Sequence, residues 1–266
     1  MTREYEITVA YLDPNPYSRP QSKMKDIKGV ALHWVANANS TAMNNRNYFN
    51  NLPIHNKNNR EKAQREGKSF TPRYASSHEI IGLKGEVVIC LPNNEVAYHV
   101  GAKSYKPRVK TLLNNSPNRH LYGIEVCHPD WSGKYSSITY KTVVNRVADL
   151  MIEFDLVPSK DTIWRHYDVT GKDCPHFYVQ NPKEWDKLVN DIVKRYYEKI
   201  NEKAEEVIKV ELAKWQEEMG KKAVENLSQK KVNGELIVNN PETWSKSLGE
   251  PTPQWLFWSI IDRITK

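Results

Sequence analysis

The chain has 266 residues, 39% hydrophobic and 27% charged, a composition that fits a globular protein with one sizeable core and a smaller appendage. The formal net charge of +7 favours polyanionic partners, and charge alone does not separate nucleic acid from an anionic cell envelope. The three cysteines, Cys90, Cys127 and Cys174, are odd in number and widely spaced, which argues against a disulfide scaffold. No apolar run approaches the roughly eighteen residues of a membrane-spanning helix.

In chain order, Met1 to Leu12 lacks the basic and apolar regions of a secretory signal, so synthesis in the cytoplasm is expected. Gly29 to Trp34 (GVALHW) reads as a buried strand and Thr41 to Asn50 as a short helix. Pro53 to Arg73 is polar, basic and aperiodic, and is expected to be a long surface loop. Glu79 to Gly82 and Glu86 to Leu91 flank Leu83-Lys84-Gly85 as a hairpin. Tyr122 to Cys127 and Thr162 to Arg165 are further strands. Tyr140 to Phe154 carries a helical stripe, as does Asn181 to Ile200 with Pro182 at its start. Strands interleaved with helices predict an α/β fold, a central sheet flanked by helices, over residues 1–200.

Past residue 200 the pattern becomes helical and amphipathic. Ala204 to Met219, a second segment around Ala223, Val224 and Leu227, a turn at Asn233-Gly234, and Pro251 to Ile264 predict a small all-helical module over 201–266. The junction reads either as a continuous helix or as a linker. The tail's tryptophans, Trp215, Trp244, Trp255 and Trp258, serve either a wall-binding surface or a small core for stability or oligomer assembly.

Three local signals suggest chemistry. His33 ends an apolar strand. Glu125 interrupts another, in Gly123-Ile124-Glu125-Val126-Cys127, and a buried carboxylate needs a partner or a role. His166 and Cys174 stand eight residues apart across a glycine-bearing loop ending in Pro175, and zinc accepts both imidazole nitrogen and thiolate sulfur.

Together these segments resemble the type-2 N-acetylmuramoyl-L-alanine amidase family, which includes peptidoglycan recognition proteins and phage lysins. The order is strand histidine, then Ser77-His78-Glu79-Ile80-Ile81, Ala97-Tyr98-His99-Val100-Gly101, the GIE strand, and finally the histidine and Cys174-Pro175. The resemblance covers roughly residues 25 to 200. It implies a mixed-sheet amidase fold with zinc held by His33, His166 and Cys174, leaving one position for water. It further implies Glu125 as general base, Lys172 as the group polarising the scissile carbonyl, and His78 and His99 lining or supporting the cleft. Tyr98 stands where relatives carry tryptophan, and Leu121-Tyr122 precede Gly123 where relatives carry a small polar residue and isoleucine.

The implied activity is cleavage of the bond between N-acetylmuramic acid and L-alanine in peptidoglycan, as a phage endolysin that reaches the wall through a holin. The tail would then bind anionic wall polymers. Cys90 and Cys127 match no ligand position and read as buried structural cysteines. His55, His120, His128 and His176 read as loop or surface residues. The alternatives are a non-catalytic peptidoglycan binder of the same fold, a peptidase with Cys174 as nucleophile, and a nucleic-acid binder. The last finds no helix-turn-helix, zinc-finger or RNP pattern in the chain.

Overall fold

A computed structural model describes residues 4–208, 214–232, 235–238, 240–246 and 248. The backbone divides into two compact units, Met1–Tyr197 and Glu198–Lys266.

The first unit is built on a mixed six-stranded sheet. Its strands are β1 (Ile7–Val9), β2 (Gly29–Trp34), β3 (Glu79–Ile81), β4 (Val87–Ile89), β5 (Leu121–Val126) and β6 (Ile163–Arg165), in the spatial order β1-β4-β3-β5-β2-β6. Only the β3–β4 hairpin is antiparallel. β2 and β5 are buried along nearly their whole length, as expected of central parallel strands. Their register pairs His33 with Glu125, and Leu32 pairs with Arg165 on the other side.

Helices cover this sheet. Ala42 and Phe49 of α1 (Ala42–Asn50) pack with Ile80 and Val88. Val109 and Leu113 of α3 (Pro107–Leu113) pack with Ala31, Leu121 and Trp164. The stripe expected near Tyr140 is α4 (Ser137–Glu153), started by Ser136, whose hydroxyl accepts the Thr139 N–H.

The expected loop at 53–73 is instead mostly helix, α2 (Leu52–Arg65). Its buried positions are Leu52, Asn56 and Ala63, too thin a stripe to read from the sequence. Asn56 occupies a place where periodicity looks for an apolar residue. Its amide both donates to the Arg73 carbonyl and accepts the Arg73 N–H, each at 2.9 Å, tying the following segment back to the helix. The stretch after His166 also holds two short helices, α5 (His166–Thr170) and α6 (His176–Gln180).

α7 (Pro182–Ile208) continues unbroken past residue 200, as the continuous-helix reading has it, and residues 209–213 lie outside the described residues. The second unit contains α8 (Lys214–Ser228), a hairpin of β7 (Lys231–Val232) and β8 (Glu235–Leu236), and α9 (Pro241–Lys246). The short hairpin is an addition to the helices expected there. Its strands flank Asn233 and Gly234, which lie outside the described residues, as does the helix expected over Pro251 to Ile264. Val224, Ile237 and Val238 form this unit's core, with Trp244 packed against them, whereas Trp215 is exposed. No helix among the described residues is long and apolar enough to cross a membrane.

Candidate metal centre and cleft

Three adjacent parallel strands deliver the site. Along the order β5-β2-β6, Glu125, His33 and His166 fall side by side at the C-terminal ends, the edge where open α/β sheets carry their ligand clefts. His166 follows the last residue of β6 and opens α5. Gly171 ends that helix with φ +85°, a left-handed conformation that suits glycine. The Tyr167 N–H then donates to the Cys174 carbonyl at 2.9 Å, closing the loop and returning the thiol to the strand ends.

Nδ1 of His166 lies 3.2 Å from Nδ1 of His33, and Sγ of Cys174 lies 3.6 Å from the same atom. All three side chains are buried, with one ligand atom from each lying within 4.8 Å of the others, an arrangement that could hold a metal ion. Burial drives His33 far below the usual histidine range, with the neighbouring His166, His99 and Lys172 pushing the same way. His166 falls to about 3 by burial and then by the Lys172 charge. Both rings are therefore neutral, with lone pairs available to a cation. Burial lifts the Cys174 thiol to about 12, with the Glu125 charge adding to the rise.

Glu125 faces the same cleft. Its Oε2 is shut off from solvent and is one of two buried side-chain polar atoms among the described residues that lack a hydrogen-bond partner. Burial lifts its pKa to about 8, opposed by Lys172. Lys172 is exposed on the rim. The cleft, about 410 Å³, is lined by these five residues together with Trp34, Phe49, Tyr74, Ala75, Ser76, Tyr98, His99, Gly101 and Asn118.

The two remaining histidines of interest differ. His99 lines the cleft, whereas His78 is fully buried and is absent from the lining. His78 donates from Nε2 to the Glu95 carbonyl and accepts the Gly123 N–H at Nδ1, both at 2.9 Å. It also stacks on Tyr122, ring centroids 4.4 Å apart. These contacts are those of a brace beneath the sheet edge, with no polar atom left for a substrate.

Sequence reasoning missed Trp34, Tyr74 and Asn118 as cleft residues, whereas Tyr98, singled out as a departure from the family pattern, does line the cleft. Trp34 had a signal, its place next to His33, and it is stacked between His128 and His176. Asn118 and Tyr74 sit in connecting segments whose sequence carries no pattern. His120 and His128 lie in turns or loops, one of the two places expected for them, but both are buried. They are 2% and 0% exposed, and their ring nitrogens lie at hydrogen-bond distance from backbone carbonyl oxygens, His120 at Asp26 and His128 at Val35 and Asp130. Cys90 and Cys127 are buried, as expected, and all three cysteines are free.

Residues 23–177 match the protein family described as "N-acetylmuramoyl-L-alanine amidase". A probable N-acetylmuramoyl-L-alanine amidase of Bacillus licheniformis is 33% identical over 171 residues, covering 64% of this chain and 42% of that protein. The amidase BlyA of Bacillus subtilis (strain 168) is 29% identical over 191 residues, 70% of this chain and 46% of that protein. The chain thus matches less than half the length of these curated relatives. Among solved structures, the catalytic domain of PlyG has TM-score 0.53 at 19% identity, covering 72% of this chain and 96% of that one. A mutant endolysin from Bacillus subtilis has TM-score 0.51 at 21% identity, covering 71% and 99%. These two likenesses establish a shared fold. With more than half of its residues inside the family match, the chain belongs to the N-acetylmuramoyl-L-alanine amidase family.

Proposed function

We propose that this chain is a zinc-dependent hydrolase of the amide between N-acetylmuramic acid and L-alanine in bacterial peptidoglycan, acting as a phage endolysin. The observation that carries the reading is the convergence of two neutral imidazoles and a thiol beside an unpartnered buried carboxylate. The donor spacing fits zinc. Tetrahedral zinc with ordinary bond lengths has N···N edges of about 3.3 Å and N···S edges of about 3.6 Å. The two edges that meet at His33 Nδ1 are 3.2 Å and 3.6 Å, and all three ligand atoms lie within 4.8 Å of one another.

His33, His166 and Cys174 would hold the ion. When bound, zinc supplies Lewis acidity toward water and toward the scissile carbonyl. Oε2 of Glu125 takes the proton from the attacking water as the C–O bond forms, then passes it to the alanine nitrogen as the C–N bond breaks and the carbonyl reforms. The ammonium of Lys172, at the rim, stabilises the oxyanion that develops on the carbonyl oxygen. Burial raises the carboxyl to about 8, which suits it to take and return a proton, and the Lys172 charge limits that rise.

Residues 1–200 form the catalytic part in this reading. The module over 201–266 attaches the enzyme to the wall; its basic and acidic side chains nearly cancel, so the positive charge that would attract anionic wall polymers lies in residues 1–200. Synthesis in the host cytoplasm and release at lysis complete the proposal. The test is turbidity clearing of purified walls with release of new N-terminal alanine, run with and without a chelator. Clearing that survives complete zinc removal would overturn the zinc reading. Binding without any alanine release would favour a non-catalytic wall binder.

A further inference from the structure

The lone pair that His33 turns toward His166 and Cys174 is not left to chance. Nε2 of His99 lies 3.0 Å from the Leu121 carbonyl oxygen, and Nδ1 of His99 lies 3.0 Å from Nε2 of His33. A carbonyl only accepts, so the proton of the neutral His99 ring sits on Nε2 and its Nδ1 is bare. That bare nitrogen accepts the Nε2–H of His33. The second nitrogen of His33, Nδ1, is then the unprotonated one, and it is the atom 3.2 Å from His166 Nδ1 and 3.6 Å from Cys174 Sγ.

We propose that His99 is a positioning residue which, through the Leu121 carbonyl, fixes the tautomer and ring plane of His33 so that Nδ1 faces the metal. The inference rests on the zinc reading above. Both ring nitrogens of His99 are committed within the protein, which leaves neither for substrate. The backbone around the ring is held as well. Oδ1 of Asn118 accepts the N–H groups of His99 and Val100 at 3.2 and 2.9 Å. Gly123 completes the seat, because a Cβ there would lie 2.6 Å from Cγ of His99. The glycine of the GIE strand is thus the clearance that lets the His99 ring sit against β5.

Two measurements test this. In metal-free wild-type protein labelled with 15N-histidine, both His33 and His99 are expected as the Nε2–H tautomer. His33 found as the Nδ1–H tautomer overturns the inference without recourse to any variant. Zinc affinity is then measured by competition with a chromophoric chelator. His99→Phe keeps a ring and removes both nitrogens, and is expected to weaken zinc binding 10–100-fold, the usual cost of losing a partner that orients a metal ligand. His99→Asn restores an acceptor near the Nδ1 position and is expected to recover most of that loss. Gly123→Ala, which changes neither nitrogen but displaces the ring, is expected to weaken binding in the same sense. Wild-type protein that takes up no zinc overturns the metal reading and this inference with it. Wild-type protein that binds zinc while His99→Phe binds equally tightly overturns this inference alone.

Discussion

Glu125 shows how a single side chain acquires a role from its surroundings. It stands in register with His33 on the neighbouring strand, buried on one oxygen, with Lys172 as the opposing charge. Glu125→Gln keeps the shape and removes the proton acceptor, and is expected to lower kcat by about 10²–10⁴-fold while zinc content, read by atomic absorption, stays at the wild-type value. Loss of zinc in that variant would instead make Glu125 part of the metal shell. His78 gives a different kind of prediction. Burial lowers its pKa to about 4 from an ordinary 6.5, so the native ring stays neutral where the unfolded ring takes a proton. The unfolded state binds more protons across that window, and stability therefore falls as pH drops from 6.5 toward 4. His78→Gln should flatten part of this slope in urea unfolding followed as a function of pH. An unchanged slope would mean that the ring titrates as if exposed.

At the scale of elements, β3 and α4 are joined by a buried ion pair. Glu79 is fully buried, and its carboxylate receives Arg146 through Nε at 3.0 and 3.1 Å and through a terminal nitrogen at 2.8 Å, with the Tyr122 hydroxyl donating at 3.1 Å. Arg146→Met leaves that charge unmatched and is expected to destabilise the protein by about 3–5 kcal/mol. Replacing both partners with methionine should cost far less than the two single changes added together, as measured by denaturant unfolding. Elements like β2 and β5 were readable because their apolar runs stand out, broken by the candidate site residues His33 and Glu125. α2 was hidden because Asn56 does an apolar residue's job by bonding to Arg73. β1 was hidden because an edge strand of three residues, Ile7–Val9, leaves too little periodicity to detect. The histidines and the cysteine that could hold a metal announce themselves as residue types, whereas Asn118 acts by fixing backbone N–H groups, and nothing in its neighbours' composition signals that.

For the whole chain, the two units invite separation. A protein ending at Ile200 is expected to keep zinc and to cleave soluble muropeptides, and to lose retention on insoluble walls in a pelleting assay. Equal pelleting of the short and full-length chains would remove wall attachment from residues 201–266. The compositional shift after residue 200 was visible in the sequence, and the continuous α7 across it was one of two readings that the pattern allowed.

His33 is separated by 133 residues from His166 and by 141 from Cys174, yet all three meet at the ends of neighbouring strands. Such distant pairings close late in folding, because each large loop must be drawn in before its contacts stabilise anything. Metal capture should consequently be among the last events as the chain refolds from denaturant. A fluorescent zinc indicator is expected to change only with the slowest phase, after helical circular dichroism has largely recovered. This order would keep newly made chains without metal until their sheets are complete.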